Sequence, residues 1–129
     1  MLSLELPLPP SLNHYWRRVG ARTLISREGR RFRKRVVAIL AELGHRTLHG
    51  PLAVEVEVYP PDRRRRDVDN VLKALLDALE HGGAYLDDSQ IIELHVRKCA
   101  VTLGGKVHVT LRQVKEETKS DNSRLDCSQ

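Results

Sequence analysis

Four consecutive arginines, Arg63, Arg64, Arg65 and Arg66, run directly into Asp67, and Asp69 follows two residues later. Lys73 stands four residues beyond Asp69, and a second acidic pair, Asp87 and Asp88, comes after a Gly-Gly turn. Arginine forks grip phosphate oxygens, while carboxylates supply the hard oxygen ligands that Mg²⁺ requires. Cations that hold a polyanion, set beside anions that hold a divalent metal, suit phosphodiester chemistry on nucleic acid.

These residues need elements to position them. Leu72, Leu75, Leu76 and Leu79 recur at helical spacing, so a helix begins near Val68 or Asp69 and is closed by Gly82-Gly83. Asp69 and Lys73 then share one side of that helix. Taken singly, each has an ordinary reading: Asp69 as an N-cap, Lys73 as a surface ion-pair partner. Those readings leave Asp67, Asp88 and the arginine run unexplained. Asp87-Asp88-Ser89-Gln90 precedes a strand, and acids in such a loop are commonly turn-formers. A strand entering the sheet beside the helix would bring Asp88 toward Asp67 and Asp69. Three converging carboxylates repel one another and favour a cation between them, where Mg²⁺ would position a water and stabilise a leaving oxygen. Asp87 is a further candidate ligand. A calcium loop is excluded, because Val71 and Leu72 occupy the places of its third ligand and its glycine. The arginine run alone also fits an import signal or a solvated loop.

Around this core the pattern is β-α-β-α-β-β, an α+β fold with a small mixed sheet and two helices packed on it. Leu2, Leu4, Leu6 and Leu8 alternate with polar residues as a first strand, which Pro7 directs to an edge. A loop through Tyr15, Trp16, Arg17 and Arg18 leads to Ser26, an N-cap for a helix carrying Phe32, Val36, Ile39, Leu40 and Leu43. Leu52, Val54, Val56 and Val58 mark the second strand, and Ile92, Leu94 and Val96 the third. Gly104-Gly105 turns the chain into the fourth, with Val107, Val109 and Leu111, as a hairpin. Tyr15 and Trp16 are expected to pack at a core edge rather than stack on bases. Residues 1–114 form the single domain, and the polar, aperiodic segment 115–129 reads as a disordered tail.

The 129 residues carry 22 Lys and Arg against 17 Asp and Glu, a formal charge of +5. The last fifteen residues hold three of those cations and four of the acids, so residues 1–114 carry +6. A basic domain favours a polyanionic partner. Cys99 and Cys127 are the only cysteines, which fits a reducing cytosol and a cytoplasmic location. No apolar run approaches a membrane span, and MLSLELPLPP lacks the basic start and apolar stretch of a secretory signal. The six histidines show neither H-E-x-x-H spacing nor Cys/His pairing, which argues against zinc.

The arrangement DRRRRDVDN with Lys73, followed by GAYLDDSQI and VTLGGKV, resembles the RusA family of Holliday junction resolvases of bacteria and their phages. PPSLNHYW and ARTLISREG are similar to that family's early loop and the start of its first helix, and the resemblance covers about residues 2–114. It implies that Asp67, Asp69 and Asp88 form the metal site and that Lys73 is also needed for cleavage. It further implies a homodimer that binds four-way junction DNA and nicks two opposed strands symmetrically. The expected ion is Mg²⁺, with Mn²⁺ as a substitute, and no small-molecule cofactor or membrane is involved. The resulting expectation is a structure-selective endodeoxyribonuclease that leaves 5′-phosphate and 3′-hydroxyl ends. Arg63, Arg64, Arg65, Arg66 and Lys73 would contact the DNA. The alternatives are a non-catalytic branched-DNA-binding protein and a nuclease for another branched DNA or RNA.

Overall fold

The alternation LAVEVEVY makes β4 (Leu52–Tyr59) the central strand, with Leu52, Val54, Val56 and Val58 buried on one face. In the computed structural model the described residues are 1–64 and 69–114, with the backbone alone for Leu12, Asn13, Asp69 and Asn70. Arg65, Arg66, Asp67 and the expected tail at 115–129 lie outside them. On one side β4 pairs in parallel with β5 (Ile91–Lys98), and on the other it pairs antiparallel with β6 (Lys106–Gln113). β6 also pairs antiparallel with β1 (Leu2–Pro7), giving the order β1-β6-β4-β5. Pro7 therefore sits on an edge strand, where its missing N–H costs no ladder bond.

The register sorts the two faces of the sheet. Val56 lies beside Val109 and Val96, and Val54 beside Leu111 and Leu94, so one face is apolar. On the other face Glu5, His108, Glu57 and Arg97 form one cross-strand row of alternating charge type. Arg97 bonds Glu57, and the His108 ring reaches Glu57 at 3.7 Å and the Ser3 hydroxyl at 3.0 Å. Opposite partners directly across strands stabilise such a row modestly.

Two helices cover the apolar face. α2 (Arg27–Glu42) starts at Ser26, whose hydroxyl accepts the Gly29 N–H at 2.9 Å, and it buries Phe32, Val36 and Leu40. α3 (Asp69–His81) buries Val71, Ala74, Leu75, Ala78 and Leu79 in the same core. Among the described residues no helix is long and apolar enough to cross a membrane.

Two expectations are corrected. β5 and β6 are not a hairpin, because β4 lies between them. After Lys98 the chain steps across the end of β4: the Cys99 N–H binds the Val58 carbonyl and the Thr102 N–H the Pro60 carbonyl. Gly104 and Gly105, both at positive φ, then reverse it. Two alternating segments joined through Gly-Gly look like neighbours in sequence, but here the connection is long enough to pass over a strand. The segment before Ser26 is likewise more than a loop. It forms the short helix α1 (Leu12–Tyr15) and a hairpin of β2 (Trp16–Val19) and β3 (Arg22–Ile25), turned at Gly20. Its arginines interrupt the apolar alternation that would have marked those strands.

Gly29 explains how this segment docks. A Cβ there would lie 2.6 Å from the Tyr15 carbonyl oxygen, which itself accepts the Ser26 N–H at 2.8 Å. Only glycine lets the first turn of α2 approach the end of α1 so closely. Tyr15 is thereby held fully buried, with Trp16 edge-on at 5.0 Å between ring centroids, as the packing expectation required.

Candidate metal and DNA-contact site

α3 carries two polar faces. The first faces α1 and α2. Asp77 accepts hydrogen bonds from the Tyr15 hydroxyl and from Arg33, whose Nη2 and Nε lie 2.8 Å and 3.0 Å from one carboxylate oxygen. Arg33 Nε also donates to the Tyr15 oxygen at 3.0 Å. Burial, reinforced by the Asp77 bond, pushes the Tyr15 phenol well above its usual range despite the opposing pull of Arg33. Burial pulls the guanidinium down, but its bonds to Asp77 and Tyr15 outweigh that and hold it above its ordinary value. The network is closed: each charged group has its partner, and α3 is pinned against α2.

The second face is exposed. Asp69, Lys73, Leu76 and Glu80 follow i, i+4, i+7, i+11 and so occupy one stripe of α3. Lys73 and Glu80 are both exposed. At 1.5 Å per residue the stripe is about 16 Å long from Asp69 to Glu80, with Lys73 about 6 Å from the Asp69 end. Helical Cα–Cβ bonds tilt toward the N-terminus, so Glu80 leans toward Lys73.

At the far end of this stripe a second element supplies two acids. Asp87 caps a single 3₁₀ turn, Asp88–Gln90, and its carboxylate accepts the Ser89 N–H at 2.9 Å. The Gln90 side chain reciprocates: its oxygen accepts the Leu86 and Asp87 N–H groups, and its nitrogen donates to the Leu48 and Gly50 carbonyls. That tether fixes the turn, and the Asp88 N–H reaches the Glu80 carboxylate at 3.1 Å. Nearby Tyr85 donates its hydroxyl to the Leu76 carbonyl at 2.7 Å. Its own pKa is driven upward by burial first and then by the negative field of Asp88, Glu80 and Asp77. The backbone N–H of Ser89 holds the Asp87 carboxyl below its usual range.

Carboxylate oxygens of Glu80, Asp87 and Asp88 lie within 4.8 Å of one another. Among the described residues none of the three is paired with a Lys or Arg. Like charges gathered without a counter-cation are unfavourable, and three hard oxygen donors are the set that Mg²⁺ accepts. The residues present therefore fit a divalent cation.

Of the expected site residues, Asp88 is in this cluster, with Asp87 beside it. Lys73 is exposed on the stripe that leads to it, and Asp69 opens that stripe, its side chain and all of Asp67 being outside the described residues. Arg63 and Arg64 are exposed in the loop after β4, where Asp62 accepts the Arg64 N–H at 2.9 Å, and Arg65 and Arg66 lie outside the described residues. Glu80 was not anticipated. Its position seven residues after Lys73, two helical turns along the same stripe, was a legible signal once Asp69 and Lys73 had defined that face.

Comparison with known proteins places this geometry in a family. The family model for Endodeoxyribonuclease RusA matches residues 7–112. A Crossover junction endodeoxyribonuclease RusA from Escherichia coli strain K12 is 40% identical over 119 residues, covering 89% of this chain and 97% of its own. The protein of the same name from Shigella sonnei strain Ss046 is 41% identical over the same length and shares. That of Enterobacteria phage 82 is 41% identical over 118 residues, covering 88% of this chain and 96% of its own. The chain belongs to the RusA family of endodeoxyribonucleases.

Proposed function

We propose that this protein is a Mg²⁺-dependent endodeoxyribonuclease that, as a homodimer, resolves four-way DNA junctions by symmetric hydrolysis. The observation that carries the reading is the exposed stripe of α3, which runs from Asp69 through Lys73 to Glu80 and meets Asp88 at its end. It joins carboxylates suited to a divalent ion with an ammonium suited to phosphate, in a chain of an endodeoxyribonuclease family.

Asp67, Asp69 and Asp88 are the proposed metal ligands, with Glu80 and Asp87 completing the acidic surround of Asp88. The bound ion supplies Lewis-acid stabilisation of the phosphate and lowers the pKa of a coordinated water. Lys73 offsets the negative charge that builds on the non-bridging phosphate oxygens as water attacks and the P–O3′ bond breaks. The products are a 3′-hydroxyl and a 5′-phosphate. Arg63 to Arg66 hold the backbone on either side through bidentate phosphate contacts. A twofold-symmetric junction calls for two such sites related by a twofold axis, which a homodimer provides.

The test is cleavage of a four-way junction by the wild type and by Asp88→Asn, with binding measured in parallel. Loss of nicking in Mg²⁺ with binding retained is the expected result. Undiminished nicking by Asp88→Asn would remove Asp88 from the metal site. Binding by the wild type without nicking in Mg²⁺ or Mn²⁺ would make it a junction-binding protein, and preferential cutting of flaps or RNA would change the substrate.

A further inference from the structure

The sheet has one strand that is out of keeping with the rest. β5 pairs with β4 alone, and not one of its eight residues is buried. Leu94 lies on the helix-side face yet is 41% exposed, and Ile92 is 59% exposed. The outward edge of β5 offers a row of unpaired backbone N–H and C=O groups and contains no proline. β1, the opposite edge, is shorter and ends in Pro7. An open, partly apolar edge of this length is a template for another strand.

The sequence of β5 selects the partner. When two copies of one strand pair antiparallel about a twofold axis normal to the sheet, residues directly opposite must project to the same face. Alternation then requires the axis to pass through a residue facing its own copy. The register with β4 shifts between Ile91 and Glu93, so regular pairing geometry begins at Glu93. Centring the axis on His95 uses that regular part. It sets Glu93 opposite the partner's Arg97 twice, and Leu94 opposite the partner's Val96 twice. Charges then oppose on the polar face and apolar groups oppose on the helix face, each the favourable cross-strand pair. Arg97 already bonds Glu57 through one nitrogen, and the remaining donors of its fork are free to take a second carboxylate.

We infer that the outer edge of β5 is the homodimer interface, where two copies join their four-stranded sheets into one through antiparallel β5–β5 pairing centred on His95. This rests on the homodimeric reading above and assigns it a surface and a register.

The test uses the full chain with Cys99 and Cys127 replaced by serine. His95→Cys is expected to form an intermolecular disulfide on mild oxidation, since self-opposed residues in an antiparallel pair fall within disulfide reach. Glu93→Cys is expected not to. Separately, Leu94→Glu, checked for folding by circular dichroism, is expected to sediment as a monomer where the wild type sediments as a dimer. A monomeric wild type, a dimeric Leu94→Glu, or cross-linking at position 93 in place of 95 would each overturn the inference. Junction cleavage in any of those cases would leave the nuclease reading intact. A correctly cross-linked dimer that cannot nick would do the reverse.

Discussion

Asp77 and Glu80 stand three residues apart on α3, and their carboxylates occupy opposite electrostatic settings. Asp77 is clamped by Arg33 and the Tyr15 hydroxyl, half-buried at the junction of α1, α2 and α3. Glu80 faces out and gathers Asp87 and Asp88 within 4.8 Å, with no cation among the described residues to offset them. Neutralised charge inside a packed junction serves the fold. Uncompensated like charge on a fixed surface stores an unfavourable energy that a divalent ion relieves, and a site built for binding looks like this. The first face holds the helix so that the second face is in place.

The contrast predicts separable phenotypes, and the largest belongs to the exposed face. Asp88→Asn should lower junction nicking in Mg²⁺ by about 100-fold or more, as loss of a group that stabilises the reacting phosphate does. Its melting temperature should stay at or above that of the wild type, since one like charge has been removed. A clear fall in melting temperature would show that the cluster is structural after all.

Gly29→Ala should act on the fold. Its new Cβ meets a backbone carbonyl rather than a flexible side chain, and overpacking of that kind costs about 2–3 kcal/mol, readable in urea denaturation. Asp77→Asn should cost somewhat less, about 2 kcal/mol, because the pair it breaks is only partly shielded from water. Both variants should retain the wild-type Mg²⁺ requirement for nicking once folded; a changed requirement would merge the two faces into one functional unit.

Glu80→Gln sharpens the comparison from the other side. It should raise the Mg²⁺ concentration for half-maximal nicking by roughly tenfold, the scale of a group that supports a metal ligand, without changing stability.

The smallest effect is at Asp87. Its carboxyl is held below its ordinary value of 3.8 by the Ser89 N–H, so its contribution is complete above that pH and fades as pH falls further. Asp87→Ala should flatten that part of the acid unfolding curve and do little at pH 7.

Much of this was legible in the sequence because period and punctuation agreed. Ser26 before Phe32, Val36 and Leu40, and the leucines closed by Gly82-Gly83, located both long helices close to their observed limits. LAVEVEVY marked the strand on which the sheet is built. What did not show was pairing: nothing in Gly104-Gly105 reveals that the connection passes over β4, because strand order is decided by which edges meet in space. The β2–β3 hairpin was hidden by Arg17, Arg18 and Arg22, which replace the apolar alternation on a ribbon that lies largely in solvent. In the site, Asp69, Lys73 and Asp88 were readable from spacing and motif. Glu80 and the Tyr15–Arg33–Asp77 clamp were not, because their meaning depends on contacts between residues far apart in the chain.

The most direct test of the account is strand-resolved cleavage of a four-way junction by the wild type and Asp69→Asn, in Mg²⁺ and in chelator, with junction binding measured alongside. The account predicts paired nicks on opposed strands for the wild type in Mg²⁺ alone, and tight binding without nicks for Asp69→Asn. Equal nicking by Asp69→Asn, or wild-type nicking that persists in chelator, would contradict it.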